Sequence, residues 1–222
     1  MACRLIVAPA AAGKTAFALE LARRAASGLA STPVVVVATY LQATSCRRRL
    51  AQAGGTLGVR VMTFYGLYAE CLEAAGKAYI ELAEPVRYRL IRAVVDALPL
   101  KHYAPLIPMP GFVQVLAGLI AELKMSLIAP RSFTAAVDAM GAGARLAELA
   151  QIYGAYLDLL QSHGWSDGAG VGWLALAALE TGEPQAGPRW PMVVVDGFDD
   201  FSPLELALLN CTVGAASLSW MV

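Results

Sequence analysis

The amino-acid sequence predicts an α/β fold, a parallel sheet flanked by helices, that is interrupted by an all-helical insertion. This prediction rests on how sheet-forming and helical segments are distributed. Short apolar segments alternate with helical segments at first, helical periodicity alone continues through the middle, and sheet-forming sequence returns near the end. We therefore expect an α/β domain built from residues 1–83 and 183–222, incomplete at its C-terminus, and a helical insertion over residues 84–182.

The first predicted elements are strands and helices in alternation. A short apolar strand over residues 4–8 precedes a helix over residues 14–26. The β-branched run at 34–39 shows no polar alternation, which is typical of a strand buried on both faces of a parallel sheet. A helix over 42–51 and a strand over 59–64 follow. Short βα units repeated in this way predict parallel pairing with right-handed crossovers.

Apolar residues at helical spacing predict three helices in the insertion, and no strand is expected between residues 84 and 179. The apolar stripes of these helices are, in order, Val86, Leu90, Val94 and Leu98; Phe112, Val115, Leu116, Leu119, Leu123 and Leu127; and Leu146, Leu149, Tyr153, Tyr156 and Leu160. A turn-rich linker over 181–189 ends the insertion, and a strand over 192–195, a helix from Pro203 and a strand over 216–222 follow. Because the chain stops in or just after a strand, we expect it to be the N-terminal piece of a longer protein.

Composition argues against several classes of protein. Hydrophobic residues make up 58% of the 222 residues and charged residues 15%, which argues against disorder. The longest uncharged stretches are broken by proline, glycine or asparagine, so no membrane span is expected. The formal net charge of zero gives no strongly basic field for nucleic acid. Scattered cysteines without metal-ligand spacing indicate reduced thiols and a cytoplasmic protein; they are Cys3, Cys46, Cys71 and Cys211.

A nucleotide-phosphate-binding loop is predicted directly after the first strand, at Ala8-Pro9-Ala10-Ala11-Ala12-Gly13-Lys14-Thr15. It matches the pattern GxxxxGK[ST] except for Ala8 at the first glycine. Gly13 lets the backbone approach the phosphates, and N–H groups of the loop and of the helix N-terminus cradle the anion. Lys14 is expected to reach the β- and γ-phosphates of ATP, and Thr15 to offer its hydroxyl to Mg²⁺. The predicted nucleotide-binding residues are Ala10, Ala12, Gly13, Lys14 and Thr15; the alternative is an alanine-rich turn before a helix.

A second candidate site lies at the end of the apolar strand that leads to Asp196. Phosphate-loop proteins place a metal-binding carboxylate at such a strand end, so Asp196 is predicted to bind Mg²⁺ together with Thr15. Ser202 and Glu205 stand at the spacing of a capping box. The next helix is therefore expected to begin just past the acidic segment that follows Asp196.

The order of these segments resembles the first motor domain of the UvrD-like superfamily 1 helicases, and most of all the B-type subunit of the bacterial ATP-dependent helicase-nucleases (AddB/RexB type). The resemblance is carried by the phosphate loop, by RLAELAQIYGAYLDLLQSHGWSD in the insertion and by VVVDGFDDFSPLELALL around Asp196. It spans essentially the whole chain. It implies a RecA-like phosphate-loop sheet, ATP and Mg²⁺ as cofactors, and a part in DNA double-strand-break processing.

The resemblance also implies contacts with nucleic acid. The segment 39–42 falls where these helicases place an aromatic residue and an amide along single-stranded DNA, and 61–67 resembles the next motif of the same track. The residues implied to contact DNA are Tyr40, Gln42, Thr63 and Phe64. Tyr40 could instead pack on the following helix, Thr63 could satisfy a strand end, and the arginines at 47–49 could be a solvated face or contact phosphates. Single-stranded or duplex-end DNA and a partner helicase-nuclease subunit are the implied partners.

One departure from the family pattern follows Asp196. Active helicases of this group carry a glutamate there that orients the attacking water, whereas this chain has Gly197. Asp199 stands where they usually carry a glutamine that senses the γ-phosphate, and Asp199 and Asp200 are otherwise ordinary turn residues. Because loss of a water-positioning residue removes transition-state stabilisation, we expect ATP binding with weak or no hydrolysis, and we assign no catalytic residue.

Two other functions are consistent with the same loop. A small-metabolite phosphotransferase would need a substrate lid with arginines, and the insertion offers Arg87, Arg89 and Arg92 at the spacing of a helix surface. A non-catalytic scaffold would bind a nucleotide only to hold the domain in shape. Gly197 is compatible with the scaffold, because it supplies no group that could activate water.

Overall fold

The computed structural model describes residues 2–9, 11–27, 32–54, 57–181, 190–212 and 218–221. The chain folds as two compact units. The first, here called the sheet unit, contains Met1–Lys77 and Leu174–Val222. The second, here called the helical unit, is Ala78–Trp173.

The elements alternate between strands and helices at both ends of the chain and are almost entirely helical in between. The strands are β1 (Ala2–Leu5), β2 (Val34–Val37), β3 (Arg60–Met62), β4 (Ile80–Glu81), β5 (Trp165–Ser166), β6 (Met192–Asp196) and β7 (Leu218–Met221). The helices are α1 (Lys14–Ala26), α2 (Tyr40–Gln52), α3 (Phe64–Ala74), α4 (Glu84–Ala97), α5 (Pro110–Met125), α6 (Pro130–Ala139), α7 (Gly143–His163), α8 (Gly168–Thr181) and α9 (Pro203–Thr212), with a 3₁₀ turn at Ala104–Leu106.

The sheet unit contains a five-stranded sheet in the order β1-β7-β6-β2-β3, and every pair in it is parallel. The prediction of a parallel sheet is thereby confirmed. All four residues of β2 are buried, as expected for a strand covered on both faces. The ends of β2 and β6 are in register, with Val37 opposite Asp196.

Several strand boundaries differ from the prediction, and the second strand ends at Val37 and not at residue 39. The first strand ends at Leu5 and not at Ala8, so the chain leaves the sheet before the loop begins. The third strand ends at Met62, and Thr63 is the N-cap of α3. The prediction that Phe64 lies in a strand is therefore wrong. Phe64 is the first residue of α3, and its aromatic ring is buried. The last predicted strand is described only over β7, since residues 216, 217 and 222 lie outside the described residues.

The core of the sheet unit forms where α1 and α2 pack on the central strands. Small side chains of α1, among them Ala18 and Ala22, are fully buried and allow the helix to lie close to the sheet. Leu50 and Cys46 of α2 belong to the same cluster, together with Val35, Val37 and Val194 from the strands. Each fully buried valine or leucine contributes roughly 1.5–3 kcal/mol relative to exposure. This packing fixes the carboxyl ends of β2 and β6 relative to α1.

The helical unit contains a short parallel pair of strands, β4 and β5, that joins its first residues to the end of α7. Ile80 lies opposite Trp165 and Glu81 opposite Ser166, and the N–H of Leu82 donates to the carbonyl of Ser166 at 2.8 Å. The expectation of no strand between residues 84 and 179 is therefore wrong at Trp165–Ser166. Two residues are too few to show a strand pattern, and the partner strand lies far away in sequence.

Helices α4, α5 and α7 enclose the core of the helical unit. Tyr153, Tyr156 and Leu160 of α7 are buried as predicted. The predicted stripe of α5 is wrong at Val115, which is 70% exposed, and at Leu127, which lies beyond the helix. The buried face of α5 is Phe112, Val113, Leu116, Ala117, Ile120, Leu123 and Lys124. In α4 the buried residues are Ile91, Val94 and Val95, whereas Val86 is exposed.

A tight turn connects α5 to α6. Leu127 adopts a left-handed backbone conformation with φ 56°, and the N–H of Ile128 donates to the carbonyl of Leu123 at 2.9 Å. The two helices are bent by 100° at this turn. In the described part of the chain no single helix is both long and apolar enough to cross a bilayer, and α5 with α6 meets that length and composition only as this bent pair.

Candidate functional site

The residues singled out by the sequence motifs follow the carboxyl ends of strands in one sheet. The loop that leads to Lys14 comes after β1, and Tyr40 begins the helix after β2. Thr63 comes directly after β3, and Asp196 is the last residue of β6. Because all the strands are parallel, these ends lie along the same edge of the sheet. Ligands of open α/β sheets bind outside this edge.

Hydrogen bonds within the loop between β1 and α1, and from Lys14 to the loop, hold its backbone in place. The N–H of Ala12 donates to the carbonyl of Pro9 at 3.2 Å. The ammonium group of Lys14 donates to the carbonyls of Ala8 at 2.7 Å and Pro9 at 3.2 Å. Lys14 is thus held against the loop that precedes its helix. Ala10, also predicted to bind nucleotide, lies outside the described residues.

Gly13 makes the sharp turn from the loop into α1. Its φ of 86° lies in the left-handed region, which glycine adopts without the penalty of a Cβ. No side chain caps this end of the helix, and its first turn carries no acidic residue. The N-terminal N–H groups of α1 and the positive end of its dipole are therefore available to an anion. Thr15, in the first turn, is half-buried.

Asp196 is buried at the end of β6, with 8% of its surface exposed. Among the residues that the structure describes, its carboxylate has no hydrogen-bond or ion-pair partner. Burial raises the pKa of the Cys46 thiol on α2, and the negative charge of Asp196 raises it further. The fully buried side-chain atoms without a partner in the described part of the chain are Tyr68 Oη, Glu70 Oε2 and Arg87 Nε, and the Asp196 oxygens are not among them. The Asp196 carboxylate therefore still reaches the surface at the sheet edge, where a ligand can bind it.

The distance between the loop and Asp196 follows from the strand order. One strand, β7, lies between β1 and β6. Adjacent strands are about 4.8 Å apart, so the two strand ends are separated by roughly 10 Å. A polyphosphate with its metal ion can bridge such a gap from the N-terminus of α1 to Asp196.

A dedicated metal cage is not built by protein side chains alone. The described residues contain no group of three or more His, Cys, Asp or Glu side chains that could hold a metal ion. Mg²⁺ usually takes one or two protein ligands and completes its shell with phosphate oxygens and water. Thr15 and Asp196 are residues of the type that such a site uses.

The segment after Asp196 turns sharply at Gly197, whose φ is 80°. Asp199 and Asp200 are exposed. The predicted capping box of α9 is confirmed, because the Ser202 N–H donates to a Glu205 carboxylate oxygen at 2.8 Å and the Glu205 N–H donates to the Ser202 hydroxyl at 3.3 Å. Glu205 is thus engaged in holding the start of α9.

Tyr40 and Gln42 occupy the first turn of α2, and the structure gives them different surroundings. Tyr40 is 73% exposed at the sheet edge. Gln42 forms a capping box with Thr39, in which the backbone N–H of Gln42 donates to the Thr39 hydroxyl at 3.2 Å and the backbone N–H of Thr39 donates to the side-chain Oε1 of Gln42 at 2.9 Å. The spacing T-x-x-Q is the sequence signal for this motif, which was not among the predicted features.

Phe64 lies inside an aromatic cluster. It is 5% exposed, and its ring centroid is 5.3 Å from that of Phe198, 6.2 Å from that of Phe201 and 6.2 Å from that of Tyr68. This cluster connects the start of α3 to the segment after β6. Thr63, just before it, is half-buried and its hydroxyl makes no capping hydrogen bond. The DNA contacts of Phe64 and Thr63 stay predictions.

The three arginines of α2 are not equivalent. The guanidinium of Arg47 donates to the carbonyl of Val61 at 2.6 Å and so binds α2 to β3. Arg48 and Arg49 are exposed. Val61 belongs to the strand at the end of the described sheet order, so Arg47 covers an outward carbonyl of that strand.

Comparison with known proteins gives similarity along nearly the whole chain. No family model matches it. It is 31% identical to the B-type subunit of the ATP-dependent helicase/deoxyribonuclease of Moorella thermoacetica, over 97% of this chain and 20% of that protein. The proteins of the same name from Heliobacterium modesticaldum and Symbiobacterium thermophilum are 30% and 27% identical, over 97% and 96% of this chain and 18% and 19% of theirs. The chain thus spans about a fifth of the length of the curated relatives it matches.

Proposed function

We propose that this chain is a nucleotide-binding part of an AddB-type helicase-nuclease subunit that takes part in DNA double-strand-break processing. In this proposal it binds ATP with Mg²⁺ and hydrolyses it weakly or not at all. The similarity to three proteins named as B-type subunits of an ATP-dependent helicase/deoxyribonuclease supports the family. The placement of its sheet unit as a RecA-like domain of the UvrD-like superfamily rests on the sequence motifs alone.

The observation that carries the proposal is a pair of features at one sheet edge. An uncapped helix N-terminus with Lys14 and Thr15 offers donors for phosphate. A buried carboxylate, Asp196, stands two strands away without a protein partner among the described residues. The first feature suits an anion and the second suits a cation, and a nucleotide bound with Mg²⁺ supplies both.

Weak hydrolysis is proposed because the position directly after Asp196 carries no side chain that could act as a base. Gly197 has no side chain, and Asp199 and Asp200 are exposed. Glu205 is bonded to Ser202 in the capping box, so its carboxylate holds the helix and is not placed to activate water. The position directly after Asp196, where the family pattern carries its glutamate, therefore supplies no general base for a water molecule beside a bound γ-phosphate.

A DNA-contacting role is proposed for Tyr40 in particular. The residue is 73% exposed at the beginning of α2, where its ring could stack on a base. Such a contact is worth about 1–3 kcal/mol in single-strand binders. Single-stranded or duplex-end DNA and a second helicase-nuclease subunit are the partners that we propose for the longer protein.

The phosphotransferase alternative is less well supported. Arg87 is bonded to Glu84 at 2.6 Å, and Arg92 to Asp96 at 3.0 Å and to the carbonyl of Ile107. Two of the three arginines are thus engaged within the helical unit, and only Arg89, which is exposed, is left for a substrate lid.

The test is thermal stabilisation of the chain by Mg-ATP. A ligand that binds only the folded state at a concentration of 100 Kd stabilises it by about 2.7 kcal/mol, which is a clear rise in Tm. Lys14→Ala is expected to abolish this rise, whereas Lys101→Ala, at an exposed lysine of the helical unit, is expected to leave it unchanged.

Hydrolysis is measured as phosphate release from the same preparations. We expect no release above background, and Gly197→Glu is expected to leave it there because a side chain at φ 80° is strained. Absence of any Mg-ATP-dependent rise in Tm would contradict nucleotide binding. Sustained turnover that depends on Lys14 would contradict weak hydrolysis.

A further inference from the structure

We propose that the side-chain amide of Gln42 binds the terminal phosphate of the nucleotide and gives the site a preference for a triphosphate over a diphosphate. This inference rests on the proposed function of the sheet edge. It assigns Gln42 to the nucleotide site, whereas the sequence motif alone placed it along DNA.

The orientation of the Gln42 amide is fixed by the capping box. Its carbonyl oxygen accepts from the Thr39 N–H at 2.9 Å and lies 3.2 Å from the Thr39 hydroxyl. A backbone N–H can donate only to the oxygen of the amide, so the oxygen must face Thr39 and the NH₂ must face away. The direction of the two remaining donors therefore follows from the hydrogen bonds.

The NH₂ group faces Gly197. A Cβ added to Gly197 would lie 3.0 Å from Gln42 Nε2, 3.7 Å from its Cδ and 3.9 Å from its Oε1. The nitrogen is thus the nearest atom of the side chain. The space that a side chain at position 197 would use is taken by the amide of Gln42.

Gly197 directly follows Asp196, and Val37, five residues before Gln42, lies opposite Asp196 in the sheet. If Asp196 holds the Mg²⁺ of a bound nucleotide, the terminal phosphate would lie near this point of the edge. An amide NH₂ there can donate to a phosphate oxygen and cannot accept a proton from water. The same residue thus favours binding of the triphosphate and offers no base for its hydrolysis.

The experiment compares Gln42→Glu with the unmodified chain by calorimetric titration, using Mg-AMP-PNP and Mg-ADP as the two probes. Glutamate is the usual partner in a capping box, so this variant keeps the acceptor for Thr39 and is expected to keep its Tm. It replaces the NH₂ by an oxygen that repels phosphate. Gln52→Glu, at the exposed far end of α2, is the matched control for the change in charge.

We expect Gln42→Glu to weaken Mg-AMP-PNP binding roughly ten- to hundredfold while changing Mg-ADP binding less than about threefold, since a hydrogen bond to a charged group is lost. Gln52→Glu should leave both affinities unchanged. Equal weakening of both probes, or an unchanged ratio of affinities, would overturn the role of Gln42. In those two cases nucleotide binding itself survives, whereas failure of the unmodified chain to bind either probe would overturn the proposed function as well.

Discussion

Two buried aspartates, one in each unit, have opposite surroundings. Asp167 of the helical unit is 2% exposed, and its carboxylate is bonded to the Lys124 ammonium at 2.6 Å, the Gly170 N–H at 2.8 Å and the Tyr156 hydroxyl at 3.0 Å. Asp196 of the sheet unit is 8% exposed and has no such partner among the described residues. The carboxylate of Asp167 is used up within the fold, whereas that of Asp196 still reaches the surface and is open to a ligand.

The hydrogen bonds and ion pair of Asp167 shift the pKa values of the groups involved. Burial alone would raise the pKa of Asp167, but the charge and hydrogen bond of Lys124 prevail and hold it below its ordinary value. Burial lowers the pKa of Lys124, and Asp167 partly offsets this. The carboxylate of Glu148 is likewise fully engaged, but by backbone groups. It accepts hydrogen bonds from the N–H groups of Lys101 and His102 at 2.7 Å and of Tyr103 at 3.0 Å. None of these groups is left for a ligand.

The largest effect is expected from removing the partner of Asp167. Lys124→Ala leaves a charge buried with 3% side-chain exposure, and the cost is about 3–5 kcal/mol in the free energy of unfolding. Urea unfolding followed by circular dichroism measures it. Lys101→Ala, at an exposed lysine, is the control and should change this free energy by less than about 0.5 kcal/mol. If the free energy of unfolding of Lys124→Ala fell by less than about 1 kcal/mol, Asp167 would not depend on its partner, and the contrast with Asp196 would not hold.

The glycines beside the two aspartates give the next test. A Cβ at Gly170 would lie 2.6 Å from the Ser166 hydroxyl, 3.0 Å from an Asp167 carboxylate oxygen and 3.1 Å from Lys124 Nζ, so Gly170→Ala must displace the network. We expect it to cost about 1–3 kcal/mol, as overpacking usually does. Gly197→Ala is expected to cost about 1 kcal/mol, because its φ of 80° is strained for alanine and its Cβ would meet only the side-chain amide of the exposed Gln42, at 3.0 Å. Urea unfolding of both variants ranks them, and the reverse order would contradict the difference in packing.

Features whose causes are local could be predicted from the sequence. The bounds of helix α1 were predicted correctly because Gly13 and the apolar residues that define the helix lie in one short stretch of the chain. The capping box of Ser202 and Glu205 is likewise readable within four residues. The Lys124–Asp167 pair was missed because its members are 43 residues apart, and only the packing of the helical unit brings them together. The same holds for the amide of Gln42 and Gly197, which meet beyond the ends of two neighbouring strands.

Acid is expected to weaken the helical unit through its saturated carboxylates. The pKa of Glu148 and that of Asp167 lie below their ordinary values of 4.5 and 3.8, so the unfolded chain binds more protons in that range. Stability is therefore full above pH 4.5 and falls as the pH drops through 4.5 and then 3.8. Urea unfolding between about pH 6 and pH 3 measures this slope. Glu148→Gln should flatten its upper part, and an unchanged slope in that variant would show that Glu148 does not contribute.

The smallest effect on the free energy of unfolding is expected at Asp196. Asp196→Asn removes a buried charge that has no protein partner among the described residues, so the free energy of unfolding should stay within about 0.5 kcal/mol or rise. The same change should abolish the Mg²⁺ dependence of AMP-PNP binding, because the carboxylate that would hold the ion is lost. Urea unfolding and calorimetric titration with and without Mg²⁺ separate the two effects. A loss of several kcal/mol without nucleotide would mean that Asp196, like Asp167, serves the fold and not a ligand.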